Sequence, residues 1–545
     1  MAEERDDLHR ALESPDCYPP PSGAVSVVET HLSRLYFVGP RVYKVKKAVD
    51  LGFVDFSTLA RRRHACDEEV RLNRRLAPDS YVGVVAIVRD GRGRVRVGAA
   101  GEAIEHAVEM ERLPAAQMLD AKLERGEIDS ECVERIVERL AEFHDGAERG
   151  PDVDRFAAPD AIARRVLGNL DEARAVARRF DAACGAPGES FPDRVAGFLR
   201  GGFERFLDEQ RPRFEQRVRE GRIREGHGDL HAGNLCVLPD RIVAFDCIEF
   251  SRELRCLDVA ADLAFLLMDL DRLRFRAFAR DLARRYAQRT GDAGLEAMLA
   301  FYKAHLACVR GKVAALRGLG SGDAAVRERS RRDAQRHFAL AAGCALPPFL
   351  AATCGLPGSG KSFVSRPLAL ALDARHYQSD FERKRIARMP PTAPTPAHRR
   401  TAIYSREMTG RTYARLFGAA GQELQRGHGV ILDATFTRAS QRARAAALAR
   451  ELAAPFVLLH CRIDEAETRR RLAARAGERG QFSDADAAVY ERVRARFEPP
   501  DEVPPELRID LGADVVPEEL VLELLDRVLG QLEAAGRLPA TFPVA

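Results

Sequence analysis

The pattern of apolar and polar residues divides the chain into two kinds of segment. Residues 24–48 are β-rich, and "RLYFVGPRVYKVKK" predicts two strands joined at Gly39-Pro40, a hairpin signal. "STLARRRHACDEEVRLNRRLA" then carries apolar residues at helical spacing and predicts a helix with Ser57 as its N-cap. "YVGVVAIVRD" and "RVRVGAA" predict a second hairpin around Asp90-Gly91. From about residue 114 the pattern is mostly helical. It is broken by a short hairpin inside "EGHGDLHAGNLCVLPDRIVAFDCIEF", residues 225–250, and resumes over 256–345 with an interruption at Gly318–Gly322. At "CALPPFLAATCGLPGSGKS" two prolines end a helix and the pattern changes. Short apolar strands now alternate with long helices: 349–354, "ARHYQSD", "GVILDAT" and "PFVLLHCRI". That alternation predicts βαβ units and a mostly parallel sheet. The expected domains are 1–345 and 346–545, and no internal repeat is visible.

Composition narrows the picture. A chain of 545 residues with 46% hydrophobic residues has room for two to four domains with real cores. A net charge of +4 with 31% charged residues is nearly balanced and gives no whole-chain argument for nucleic acid or membrane. The eleven cysteines are odd in number and form no C-x-x-C pair, which suits a reducing cytoplasm better than a disulfide framework or a zinc site. The charged N-terminal stretch has no apolar signal-peptide core, and no run of about 18 apolar residues predicts a membrane span.

"GLPGSGKS", Gly355–Ser362, fits the phosphate-loop pattern G-x-x-x-x-G-K-[ST] in full, with a strand before it and a helix after it. Gly355, Gly358, Ser359 and Gly360 would let backbone N–H groups converge on phosphate oxygens at a helix N-terminus. Lys361 would bridge the terminal phosphates of ATP, and Ser362 would ligate Mg²⁺. Asp433, at the end of the strand in "GVILDAT", is placed to hold Mg²⁺ or its water. Asp380 follows the next strand. It is either a base for an attacking hydroxyl or, with Ser379, an N-cap for the helix that follows. "ETRRRLAARAGERG" is an Arg-dense helix that reads either as a lid over ATP or as a solvated basic face.

The hairpin inside 225–250 carries a second constellation. Pro239-Asp240 is its two-residue turn, so Leu238 pairs with Arg241 and Asn234 falls opposite Phe245. Asn234 and Asp246 then share its open end, with Asp229 on the loop before it. A catalytic-loop Asp, an Asn shortly after it and a second Asp beyond a hairpin are what the protein-kinase plan of phosphoryl transfer requires. Asp229 would orient or deprotonate the acceptor hydroxyl, and Asn234 and Asp246 would hold Mg²⁺. His227 and His231 are the competing metal-ligand reading, disfavoured by the glycines of the loop. Lys44 and Lys46 share one strand face, and either could reach ATP phosphates, with Glu69 as the helix partner. "AVEMERLP" is the expected lobe hinge. Asp258 and Asp262 are expected to brace the catalytic loop.

On Gly355–Ser362, Ser379-Asp380 with Arg383, Asp433 and the Arg-rich segment, the second half resembles the small P-loop kinases of the AAA_33-type ATPase group, polynucleotide kinase-like members included. That resemblance implies phosphate transfer to a hydroxyl, with Asp380 as base and Arg471 or Arg475 in the lid. On "HGDLHAGN" and Asp246, the first half resembles the aminoglycoside phosphotransferase family. This implies an α+β protein-kinase-like domain and favours Lys44 over Lys46. The order of the two resembles bacterial bifunctional aminoglycoside phosphotransferase/ATP-binding proteins. The first half departs from the aminoglycoside phosphotransferase pattern in lacking a G-x-G-x-x-G loop between the first strands and in placing Glu249 three positions after Asp246, where many members place an acid two positions on. Together the two resemblances imply an ATP- and Mg²⁺-dependent kinase with two modules acting on small hydroxyl compounds. The alternatives are one catalytic module with a P-loop sensor, or a P-loop half acting on nucleic acid ends. The complete absence of Trp and of an aromatic stacking cluster argues against the last.

Overall fold

The computed structural model describes residues 2–20, 23–50, 52, 54–185, 190–390, 393, 395–475, 487–538 and 541–543. The chain folds as two compact units. One takes the residues up to Arg164 with Gln210–Lys303, and the other takes Arg165–Glu209 with Ala304–Pro543.

The first unit opens with a six-stranded antiparallel sheet. Its strands run in the order Val25–Glu29, Ser33–Val38, Arg41–Lys46, Ala103–Glu111, Tyr81–Arg89, Val95–Val97. Both expected hairpins are present, with Val38 paired to Arg41 and Arg89 paired to Val95. The strand Ala103–Glu111 absorbs most of the segment expected to be a hinge, leaving only 112–114 beyond it. Four successive residues at its centre, Glu105 to Val108, are buried, so the strand lacks the alternation that marks a half-buried one. The helix Leu59–Asn73 starts one residue later than expected. Thr58 is the N-cap and accepts from the Arg61 N–H, while the Ser57 hydroxyl donates to Asp55. Beyond the sheet the unit is mainly helical. The hairpin Leu235–Val237/Ile242–Ala244 has the expected register, extended at both ends by Leu238 N–H to Arg241 C=O and Phe245 N–H to Asn234 C=O.

In the second unit five parallel strands run in the order Arg375–Gln378, Val430–Asp433, Leu350–Cys354, Phe456–Cys461, Arg508–Leu511. The central three are wholly buried, which fits a parallel sheet covered on both faces. The fifth strand was not legible as one: "RIDL" is four residues long and half polar.

The expected boundary at 345/346 does not match this packing. Helix Pro517–Ala534 buries Leu520, Leu524, Leu525, Val528 and Leu532 on one side, each worth about 1.5–3 kcal/mol when fully removed from water. It packs on Asp193–Glu209, Ala324–Gly343 and Lys361–Ala371. Arg194–Asp526 (2.6 Å), Arg336–Glu518 (2.6 Å) and Arg331–Glu519 (3.0 Å) join the same helices. Helices that precede residue 345 therefore belong to the core built around the parallel sheet.

Candidate active sites

Strand Arg41–Lys46 sends Lys44 and Lys46 to one face, where helix Leu59–Asn73 presents Glu69. The Lys44 ammonium lies 2.8 Å from Glu69 Oε1 and 2.5 Å from Asp246 Oδ1. The strand lysine, the helix acid and the acid beyond the hairpin, far apart in sequence, are thus brought together. Burial would depress the Lys44 ammonium, but Asp246, Glu69 and Glu249 override it and hold it well above its usual range. Partial burial works against the Asp246 carboxylate too, and Lys44 draws it down to about 2. Asp246 is open to the cleft, its side chain 44% exposed, while Glu69 is wholly enclosed.

Asp246 adopts a left-handed backbone, φ 67°, which an L-residue other than Gly holds only at a cost. Its neighbours fix it there. The Asp246 N–H donates to the Tyr81 hydroxyl at 3.1 Å, and the Cys247 N–H donates to Asn73 Oδ1 at 2.9 Å. Asn73 in turn donates to the Glu69 carbonyl at 2.8 Å, so a single amide ties the helix to the Asp246 loop. Sequence reasoning passed over Asn73 and Tyr81. The only signal for Asn73 was its place one helical turn after Glu69.

The loop before the hairpin is held from below. Asp262 accepts the N–H groups of His227 (2.7 Å) and Gly228 (2.9 Å) and lies 3.1 Å from His144 Nε2. Burial would raise its carboxyl, but His144 and His227 bring it below the usual range. Asp258 has a different task from the one expected. It caps the helix Val259–Arg272 and pairs with the buried Arg217, which also holds Asp292, so of the two acids only Asp262 braces the loop. His227 is wholly buried with Nε2 on the Phe245 carbonyl at 2.9 Å, a structural role that removes it as a metal ligand. Asn234 donates to the Asp229 carbonyl at 3.1 Å. The Asp229 carboxylate is 30% exposed and 3.8 Å from His231 Nε2. Asn234 and Asp246 supply an amide oxygen and a carboxylate, the hard oxygen donors that suit Mg²⁺.

In the second unit the loop Gly355–Ser362 leaves strand Leu350–Cys354 and enters helix Lys361–Ala371. Gly355 (φ 145°) approaches so closely that a Cβ there would lie 2.5 Å from the Cys461 carbonyl oxygen. Gly358 and Gly360 are left-handed as well, with φ 85° and 89°. The Ser359 hydroxyl is buried without a hydrogen-bond partner. Lys361 donates to the Leu356 carbonyl at 2.7 Å, and burial lowers its ammonium despite the nearby Asp433 and Asp380. Ser362 Oγ donates to Asp433 Oδ2 at 2.6 Å, and Gln378 donates to the same oxygen at 3.0 Å. This hydroxyl and carboxylate are again oxygen donors fit for Mg²⁺.

Asp380 sits in the first turn of helix Ser379–Ile386, whose N-cap is Gln378, so neither Ser379 nor Asp380 is the cap. The Asp380 carboxylate is 3.8 Å from Arg383 Nε. Helix Glu465–Arg475 lies against the phosphate loop, since a Cβ on Gly358 would meet Thr468 and Leu472. Arg471 pairs with Glu467 at 2.6 Å and lines a cavity of about 270 Å³ with Gly360, Phe363, Cys461 and Leu511. The side chain of Arg475 lies outside the described residues.

A lysine shared between a helix carboxylate and a second acid across a cleft, above a braced Asp-and-Asn loop, is the arrangement of a phosphotransferase. Comparison with known proteins agrees. A phosphotransferase enzyme family model matches residues 39–301 and an AAA domain model matches residues 350–500. An uncharacterized protein of Mycobacterium tuberculosis (strain H37Rv) is 32% identical over 479 residues, spanning 87% of this chain and 90% of that one, and a Mycobacterium bovis protein matches to the same extent. The chain belongs to the family of these mycobacterial proteins; it carries a phosphotransferase segment followed by an AAA segment and is a kinase. Among solved structures, the Mycobacterium tuberculosis APS kinase in complex with AMPPNP and APS is 22% identical, covering 33% of this chain and 97% of that one with a TM-score of 0.25. A gluconokinase from Sinorhizobium meliloti is 16% identical, covering 35% and 95% with a TM-score of 0.24.

Proposed function

We propose that the chain transfers the γ-phosphate of Mg²⁺-ATP to hydroxyl groups of small molecules at two separate sites. The observation that carries this reading is Lys44 bound at once to Glu69 and Asp246, a cation held where ATP phosphates would replace one of its carboxylate partners. In the first site Asp229 accepts the acceptor's proton, and Asn234 and Asp246 hold the metal. In the second, Asp380 accepts the proton, Ser362 and Asp433 hold the metal, and Gly355, Gly358, Ser359, Gly360 and Lys361 cradle phosphate. When bound, Mg²⁺ neutralises the charge of the phosphate oxygens. The unpartnered Ser359 hydroxyl and the lowered Lys361 ammonium both favour an incoming anion. Phe363, 58% exposed beside the cavity that Arg471 lines, offers a flat apolar face for adenine. Arg471 of the same helix would reach the transferring phosphate.

The functional boundary lies at 345/346, between the two matched segments, although helices on both sides of it pack together. The eleven cysteines are free thiols, odd in number and without a C-x-x-C pair, a pattern that supports a reducing compartment, the cytoplasm. No helix among the described residues is long and apolar enough to cross a membrane. Calorimetric titration with Mg²⁺-ATP tests the two-site reading. It should give two nucleotides per chain in the wild type and one in either Lys44→Met or Lys361→Ala. A single nucleotide in the wild type would sink it.

A further inference from the structure

The first site has a lysine that the nucleotide chemistry does not use. Lys46 follows Lys44 by two residues on the same strand face, about 6.8 Å further along. It is buried more deeply than Lys44, with a side chain 1% exposed against 10%. The two lysines divide one carboxylate: Lys44 takes Glu69 Oε1, and Lys46 takes Glu69 Oε2. Lys46 is also bonded to Glu249 and lies 5.5 Å from the centre of the Phe56 ring. Glu249 is fixed at its other end, where its carbonyl accepts from Arg255 at 3.0 Å.

We infer that Lys46 is a positioning residue: with Glu249 it keeps Glu69 and the Asp246 loop docked whether or not Lys44 is engaged with phosphate. The inference deepens the nucleotide reading of the first site and rests on it. Its physical basis is the cost of a buried charge. Glu69 is 0% exposed, and a carboxylate in that place needs a cation that stays. Lys44 cannot serve Glu69 alone, because it already divides its charge with Asp246 and an arriving phosphate would compete for it. Lys46 faces no solvent and no cleft, and both its carboxylate partners are buried. Helix Leu59–Asn73 is then anchored by Lys46 through Glu69 and by Asn73 through Cys247, and neither tie involves the nucleotide. The helix is assembled before ATP arrives, so its position does not act as an on-switch.

The test is hydrogen exchange over helix 59–73 in the full chain carrying Lys361→Ala, so that Mg²⁺-ATP reports only on the first site. Without nucleotide, Lys46→Met should speed exchange of the helix amides by about tenfold or more, whereas Lys44→Met should leave them within about twofold of the parent. Saturating Mg²⁺-ATP should leave the exchange of the helix amides in the parent unchanged. Glu249→Gln, which keeps shape and removes one charge, should speed exchange by roughly threefold and decides the matter if Lys46→Met does not fold. Equal exchange in Lys44→Met and Lys46→Met, or no change in Glu249→Gln, would overturn the inference. If the Lys361→Ala chain bound no Mg²⁺-ATP, the nucleotide reading of this site would fall, while the nucleotide-free comparison would still decide the anchoring role.

Discussion

The two proposed sites of this chain would solve one problem, gripping a polyphosphate, with opposite materials. The second site is mostly backbone: eight consecutive residues, three of them glycines with positive φ, and one lysine whose described partner is a carbonyl. The first is mostly side chain, with Lys44, Glu69 and Asp246 drawn from a strand, a helix and a loop beyond a hairpin. The lysines show the difference most clearly. Carboxylates hold the Lys44 ammonium above its usual range, whereas burial pulls Lys361 below its own. One cation is already neutralised and must exchange partners. The other is short of negative charge, and an arriving phosphate would supply it.

The largest expected effects separate the two chemistries. Asp229→Ala and Asp380→Ala, each assayed for ATP turnover over a panel of hydroxyl compounds, should each remove one activity by about 10²–10⁴-fold and spare the other. If Asp380→Ala changes no phosphotransfer while nucleotide still binds, the second site is a sensor and the comparison becomes one of enzyme against receptor. Next comes the backbone of the second site. Gly355→Ala would put a methyl against the Cys461 carbonyl at a positive φ, and a loss of about 1–3 kcal/mol in chemical denaturation of the second unit is expected. An unchanged midpoint would show that the loop gives way.

A smaller effect tests the bracing of the first site. Asp262 has a folded-state carboxyl below its unfolded value of about 3.9, so its contribution is present above about pH 4 and is lost as pH falls through the folded value. Asp262→Asn should cost about 1.5–3 kcal/mol at neutral pH, and its gap from wild type should close on acidification below about pH 4. A gap that stays constant in melting experiments down to about pH 3 would contradict this. The smallest is the helix cap: Thr58→Ala should cost about 1 kcal/mol and Ser57→Ala much less, measured by denaturant midpoint.

The same contrast explains what could be read in advance. A site made of contiguous backbone leaves a contiguous signature, so Gly355–Ser362 was visible as a string, and Asp433 followed from strand alternation. The hairpin register was also legible, because a two-residue turn determines every pairing behind it. Side-chain networks leave no such trace. Asn73 and Tyr81 hold the Asp246 loop, yet their letters differ in nothing from a helix surface residue or a strand aromatic. Asp258 and Asp262 looked equivalent by spacing, and only the partner across the fold, Arg217 for one and the His227–Gly228 backbone for the other, assigns their tasks. Which core the helices before residue 345 join was hidden for a related reason. Punctuation by prolines marks where a pattern changes, not which core a helix joins.

The hairpin that carries Asn234 and Asp246 has its chemistry at the open end and its turn, Pro239-Asp240, exposed at the other. Three paired positions separate the two, so the turn behaves as a handle on a fixed tool. A peptide tag or fluorophore loop inserted between Pro239 and Asp240 would lengthen the handle without changing the register at the working end. One residue added inside Leu235–Val237 would turn that strand over and part Asn234 from Asp246. The hairpin therefore marks, within a few residues, where the chain accepts new sequence and where it does not.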